Sequence, residues 1–440
     1  MQEYTIKYEG FNQGLRPFWQ GRRQQPLLLE CLNAQPFQQT LQSIQPIISP
    51  VPQQEVIFPF PQLVVLKEIF LLDRDRIHRL SGNFQSLDFF IVPEGESWQW
   101  ADFGSFVLFT NGETVVEYTQ EDGFTLWTGP KFSACCSFKG QLFVGGFSPS
   151  WYDAGPGSVG WSKIGSADFT LDKSNTAGYA HLENGNVLCV KQLGNGVMAY
   201  GDRCVEFFQP VAEPVVTYAK QPVMNIPGIA GRNAVGGNSS KHLLVDSVGQ
   251  LWLITGEAPK MLGYQDFFAR MLGTDIIVSY NEVMQTFSIS NEETSFLWSE
   301  QGLCKHFQAI TSQTVFSGGS IGFFEQVEDQ GFLLKTDSLD FGFRGLKTLT
   351  SIELAHSSYS SIYAAIDWRY DTREPFRSSR WVKLNARGIA TLMITAADFR
   401  VKLQSSDYRN MELDYMLVKY KMSDRRNIRG SANNADQTSS

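Results

Sequence analysis

Apolar residues along this chain fall into short runs that break at Gly, Asn or Asp. In VMAYGDRCVEFF (Val197 to Phe208), two apolar arms flank Gly201-Asp202-Arg203, which reads as a β-hairpin. The pattern recurs in IFLLDRDRIHRLSG (Ile69 to Gly82), VLFTNGETVVEY (Val107 to Tyr118) and CCSFKGQLFVGG (Cys135 to Gly146). It returns in HLLVDSVGQLWLIT (His242 to Thr255) and TFSISNEETSFLWS (Thr286 to Ser299). Successive bends lie roughly 30–60 residues apart, bracketing the ~40–50 residues of one four-stranded blade. The pattern predicts an all-β protein with a β-propeller of six or seven blades over residues 62–335. A β-sandwich with several hairpins is the competing architecture. Radial repetition is preferred because it protects the strand edges of so many hairpins.

The flanks read differently. Residues 1–61 are rich in Gln and Pro, and Pro breaks helices and central strands. Yet Leu27, Leu28, Leu29, Phe58 and Phe60 are too apolar for a free linker. The expectation is an extended arm lying on its own propeller or on a neighbouring subunit, with these five residues as interface candidates. Beyond residue 335, TSIELAHSS, IYAAIDWRY, TLMITAADFRVKL and LDYMLVKYKM read as strands of a separate C-terminal β-sandwich over 336–425. Residues 426–440 form a polar tail that would not order alone. The best short helix signal is YQDFFARML (Tyr264 to Leu272).

Composition narrows the function classes. The 440 residues include 33 Phe and 38 Gly, which suit strands and turns, and the formal net charge is −8. That balance argues against gripping nucleic-acid phosphates by bulk charge, and suits a surface past which DNA slides. The N-terminus lacks the basic-then-apolar layout of a signal peptide. No run approaches the ~20 apolar residues of a membrane span. The six cysteines, at 31, 135, 136, 189, 204 and 304, form no CxxC pair and are expected as free thiols in a reducing cytoplasm.

Candidate chemistry is sparse. GPGSVG (Gly155 to Gly160) fits GxGxxG but lacks a helix signal after it, so a loop between strands is expected. TQEDGFTLW (Thr119 to Trp127) approaches the Asp-box of sialidase-like propellers, with Glu121 as the acid and Trp127 one step late. A blade-edge turn accounts for it better. Asp73 and Asp75 read as a solvated hairpin tip, and Cys304-x-His306 as part of a strand. No nucleophile, metal or phosphate-loop motif is present, so no enzyme, catalytic residue, metal or cofactor is expected. WRYDTREPFRSSRW sets Arg373, Arg377 and Arg380 among Trp368 and Trp381. Such a mixture can grip single-stranded nucleic acid, and it equally suits a protein interface. The acidic whole favours the interface.

From VGWSKIGSADFTLDKSNTAGYAHL through NVLCVKQLGNGVMAYGDRCVEFFQP to GIAGRNAVGGNSSKHLLVDSVGQLWLITGEAPKML, the chain resembles the tail nozzle, or packaged-DNA stabilisation, proteins of short-tailed bacteriophages. The resemblance lies in a small-residue loop followed by a hairpin with an aromatic second arm. Val197, Met198, Tyr200, Val205, Glu206, Phe207 and Phe208 carry it, as does GIAGRNAV (Gly228 to Val235). The run FRVKLQSSDYRNMELDYMLVKYKMSDRRNIRG looks like the closing strands of related tail proteins, so the resemblance covers about residues 100–430. It implies a structural virion protein assembled in the host cytoplasm. It also implies a ring with itself, usually six-fold, that would meet a portal or head–tail adaptor and carry fibres or spikes. The ring would extend and close the DNA channel and retain packaged DNA without binding it specifically. A carbohydrate-binding or glycan-cleaving propeller is the alternative, and a scaffold propeller with a peptide-binding face a third reading.

Overall fold

The computed structural model describes residues 2–15, 27–44, 62–83, 85–172, 176–212, 216–223, 226–256, 258–282, 284–306, 315–316, 319–320, 331–342, 345–356, 361–405 and 412–423. Six four-stranded antiparallel units follow one another along the chain, over 62–91, 99–126, 132–181, 187–222, 235–263 and 277–306. Within each unit the strands pair in chain order, as in the blades of a propeller. Below, these units are blades 1 to 6. Among the described residues the helices are Gln265–Phe268, a short α-helix leading into blade 6, and the 3-10 turn Gly10–Gln13.

Alternation explains why the second strand of each blade reads as nearly all apolar. In blade 4, Val197 and Ala199 pack on blade 3, while Met198 and Tyr200 pack on blade 5. Both faces of Gly196–Gly201 are therefore buried, and no polar position survives in it. Apolar clusters join blades 1 and 2, 2 and 3, 3 and 4, 4 and 5, and 5 and 6 in this way. The closing contact between blades 6 and 1 is different. Leu63, Leu71 and Leu80 of blade 1 form a cluster of their own. The face of blade 6 turned away from blade 5 carries Ser279 paired with Ser288 (3.0 Å) and Ser290 paired with Ser295 (2.8 Å). Arg74 Nη2 spans the seam to Asp275 at 3.8 Å.

Five of the six hairpins read in the sequence join the second and third strands of a blade, and the sixth, at 135–146, joins the first and second strands of blade 3. Blade 3 replaces its second-to-third turn with the longer loop 148–157, which explains the irregular spacing. In the other blades that turn starts at Asp73, Asn111, Asp202, Asp246 or Asn291. Asn111 Oδ1 accepts the Glu113 and Thr114 amides (3.2 and 2.8 Å), and Asn291 Oδ1 accepts those of Glu293 and Thr294 (3.1 and 2.9 Å). Asp246 Oδ1 likewise accepts the Val248 and Gln250 amides (3.0 and 2.8 Å). The short polar side chain thus caps the turn.

Polar side chains cross the middle of the ring. Gln99 Nε2, on the first strand of blade 2, donates to the carbonyls of Leu188 (2.8 Å) and Arg232 (2.9 Å). Arg232, just before blade 5, reaches back to the carbonyls of Thr110 and Ser133 and to Glu96 (3.3 Å). Between blades 4 and 5, the Tyr200 hydroxyl lies 2.6 Å from His242 Nδ1. Burial pushes the His242 imidazole down from 6.5 to about 3, and the Lys191 charge adds to the push. The folded state therefore keeps His242 neutral while the unfolded chain takes up a proton below about pH 6.5. Stability present above that pH should be lost progressively as pH falls from about 6.5 toward 3. Urea melts through this window should fall more steeply for the wild type than for His242→Phe. Equal slopes would remove His242 as the source.

Of the remaining described strands, Val315–Phe316 and Gly319–Ser320 pair with each other, and the others build a two-sheet sandwich. One sheet runs Ala34–Phe37, Thr40–Ser43, Glu412–Met422, Lys347–His356, Ile389–Ala396, with Glu3–Tyr8 also paired to Glu412–Met422. The other runs Leu28–Leu32, Leu333–Thr336, Asp398–Ser405, Ile362–Arg369, Arg377–Ser378, with Val382–Lys383 on Ile362–Arg369. Leu28–Leu32 also meets the outermost strand of blade 6 in parallel, Leu32 opposite Lys305.

This corrects the reading of residues 1–61 as an extended arm. Of the described residues 2–15 and 27–44, four segments are strands of the sandwich, Gly10–Gln13 is a 3-10 helix and Gly14 bridges Leu303 of blade 6, so the propeller is inserted between the two parts of the sandwich. Pro36 misled because it sits on an edge strand, where a missing N–H costs no ladder bond. Leu333–Thr336, assigned to the propeller side of the 335/336 boundary, already pairs within the sandwich.

Candidate interaction site

The outward face of the second sandwich sheet gathers the chain's densest set of cations and aromatic rings. It follows from strict alternation. Ile362, Ala364 and Ile366 point into the core, so Tyr363, Ala365, Asp367 and Arg369 point out. On the neighbouring strand Phe399, Val401 and Leu403 point in, leaving Asp398, Arg400 and Lys402 outside. Register sets Asp367 opposite Arg400 and Arg369 opposite Asp398, and Lys335 stands opposite Lys402 on the next strand.

Two carboxylates organise the face. Asp367, with its side chain 5% exposed, accepts from Lys402 Nζ (2.7 Å) and the Ser378 hydroxyl (2.5 Å) and lies 3.2 Å from Lys335 Nζ. Burial pushes its carboxyl up, but these neighbours override that push and hold it below the usual carboxylate value. Arg369 donates through Nε (2.8 Å) and Nη2 (2.6 Å) to Asp398 Oδ2. The cations also cover aromatic rings. The Arg369 and Arg400 guanidinium groups lie 4.3 and 3.9 Å from the Phe376 ring centre, Arg377 lies 5.3 Å from Trp368, and Lys402 Nζ lies 5.4 Å from Trp381. Burial lowers the affinity of Arg400 for its proton.

Of the sequence candidates, alternation leaves Trp381 on this face, whereas Trp368 and Arg377, set opposite each other, lie on the core side of the sheet with Ile366 and Phe399. Arg373, Arg380 and Lys383 are exposed. These three cations make no ion pair among the described residues. Of the three leucines, Leu28 has no exposed surface to offer a partner. Leu28 is fully buried in the sandwich core, Leu27 and Leu29 are half-buried, and the Leu27 carbonyl accepts from the Tyr8 hydroxyl (3.1 Å). Phe58 and Phe60 lie outside the described residues, as does the tail 426–440. Sequence reasoning missed Lys335, Asp367, Asp398, Arg400 and Lys402. The signal was present in DFRVKLQS, where Asp398, Arg400 and Lys402 alternate with Phe399, Val401 and Leu403.

The other singled-out stretches take ordinary structural places. Gly155–Gly157 closes a loop and Ser158–Trp161 is a strand, with no helix after it. Asp122 and Thr119 cap a hairpin turn (2.9 Å), and Trp127 packs between blades 2 and 3. Asp73 is buried and Asp75 pairs with Arg76 (2.8 Å). Cys304 and His306 are both buried in the last strand of blade 6. Burial raises the Cys31, Cys135 and Cys304 thiols, and the six cysteines are free. Among the described residues no group of three His, Cys, Asp or Glu side chains is placed to hold a metal, and no helix is long and apolar enough to cross a membrane.

Charge is divided between the two bodies. Residues 62–306 hold 26 Asp and Glu against 16 Lys and Arg, whereas residues 1–44 and 331–423 together hold 13 against 18. The chain's acidity therefore belongs to the propeller, and the sandwich opposes it.

No protein-family model matches this chain, and no curated protein matches it. Among solved structures it is similar in fold to Kluyveromyces lactis Hsv2 (12% identity, TM-score 0.34, covering 55% of this chain and 84% of that one). It is similar also to the Neurospora crassa Pan2 WD40 domain (10%, 0.39, 66% and 89%) and to BamB from Moraxella catarrhalis (10%, 0.36, 64% and 92%).

Proposed function

We propose that this chain is a structural protein of the tail of a short-tailed bacteriophage. Copies of it form a six-fold ring that extends and closes the DNA channel below the portal or head–tail adaptor. The ring retains packaged DNA and supports fibres or spikes. It acts without catalysis, in the virion, after assembly in the host cytoplasm. The observation that carries this reading is the cation–aromatic face of the sandwich, where Arg369, Arg400 and Lys402 lie over Phe376 and Trp381, since Arg and aromatic residues are enriched at protein interfaces. The split of charge suits subunits that pack side by side, and the resemblance in the sequence supplies the setting. Arg232 and Gln99 cross the propeller's own axis, so the proposed DNA passage lies between copies and not through one propeller. Purified protein imaged by electron microscopy and sized by mass photometry should yield closed rings of about six copies. A monomer at every concentration up to the hundred-micromolar range would count against the reading.

A further inference from the structure

We infer that the cationic face of the sandwich docks on the acidic end of the propeller of a second copy of this chain. The ring would then grow head to tail. This rests on the ring reading above and names the surfaces that build it. Loops joining second to third strands, and those joining one blade to the next, emerge at the same end of a propeller. That end exposes Glu94, Asp266, Asp275, Glu292 and Glu293 around blades 6 and 1. Asp266, Glu292 and Glu293 make no ion pair among the described residues, and neither do Arg373, Arg380 and Lys383 on the sandwich. Among the described residues no ion pair joins the two surfaces within one chain, although Leu32 and Leu333 of the sandwich and Arg270, Glu293 and Lys305 of the propeller side line one groove of about 520 Å³. A second copy supplies the complement.

Two observations favour a protein partner over single-stranded nucleic acid. The Phe376 ring is already covered by the Arg369 and Arg400 guanidinium groups, so it is not free to stack on bases. Asp367 and Asp398 stand in the middle of the face, where they would repel phosphates and would instead fix the geometry of Lys335, Lys402 and Arg369. The resulting contact uses different patches on the two copies, and such a heterologous contact closes into a ring when its rotation permits.

The test uses two full-length triple variants. One carries Arg373→Glu, Arg380→Glu and Lys383→Glu, and the other carries Asp266→Lys, Glu292→Lys and Glu293→Lys. All six side chains are exposed, so both variants should melt as the wild type does, checked by circular dichroism. Each variant alone should associate at least tenfold more weakly than the wild type, and wild-type association should weaken with salt. Mixing the two should restore rings of alternating copies, because each variant then meets an opposite charge at both contacts. Rings that persist in either variant with unchanged affinity would overturn the inference and leave the ring reading standing. A wild type that never assembles would overturn both. Oligonucleotide binding by the wild type that the first variant loses, with assembly unaffected, would assign the face to nucleic acid instead.

Discussion

Replacing Arg232 with alanine should destabilise the propeller by about 2–4 kcal/mol, since each charge-assisted hydrogen bond contributes ~1.5–3 kcal/mol. The Arg232 side chain is 5% exposed, and burial lowers its affinity for its proton. It joins parts of the ring that no strand ladder joins. The stretch before blade 5 is tied through it to Thr110 of blade 2, Ser133 of blade 3 and Glu96 between blades 1 and 2. Gly112 lies against it so closely that an added Cβ would stand 2.8 Å from Nη1. Arg232→Met keeps most of the volume and loses the donors, so it separates hydrogen bonding from packing. A urea midpoint shift in both variants is the expected result. An unchanged midpoint in Arg232→Met would show that the donors contribute nothing net.

Deleting residues 1–44 should have the larger effect, abolishing the sandwich altogether. The deletion removes four strands and takes Tyr8, Phe11, Leu28 and Leu41 out of one continuous core. At ~1.5–3 kcal/mol per large apolar side chain, that loss rivals the whole stability of a typical domain. Composition alone predicts the opposite, a soluble β-rich remainder with only its assembly impaired. Limited proteolysis decides between them. Residues 331–423 should become cleavable in the truncated protein while the blades stay protected. A truncated chain with a protected C-terminal region would refute the discontinuous domain. A milder probe is Phe11→Ala, fully buried at the edge of Tyr8, which should cost about 3–5 kcal/mol.

The hairpins were legible because a turn flanked by apolar strands is a local event. Asn111-Gly112 and Gly201-Asp202 announce their bends within a few residues. What the sequence concealed is nonlocal. Nothing near Glu3–Tyr8 indicates that its partner is Glu412–Met422, and Gln and Pro around Leu28 masked a strand whose neighbours begin at Leu333. The candidate face was half legible for the same reason. Phe376 and Trp381 stand close together in the chain, whereas Arg400 and Lys402 reach them only through strand pairing. Blade number was undecided because blade 3 spends its visible turn on its first two strands.

A domain split around an insertion also sets a timetable. Residues 3–43 leave the ribosome before the blades, and the rest of their sandwich begins about 290 residues later, at Leu333. At ~5–20 residues per second, the apolar strand around Leu28 and the rings of Tyr8 and Phe11 wait roughly 15–60 s for a place to go. Blades 1 to 6 can close meanwhile, each from consecutive strands. The growing chain therefore carries an exposed apolar stretch while the blades are made, and yield in the cell should depend on whatever shields that stretch until Glu412–Met422 emerges.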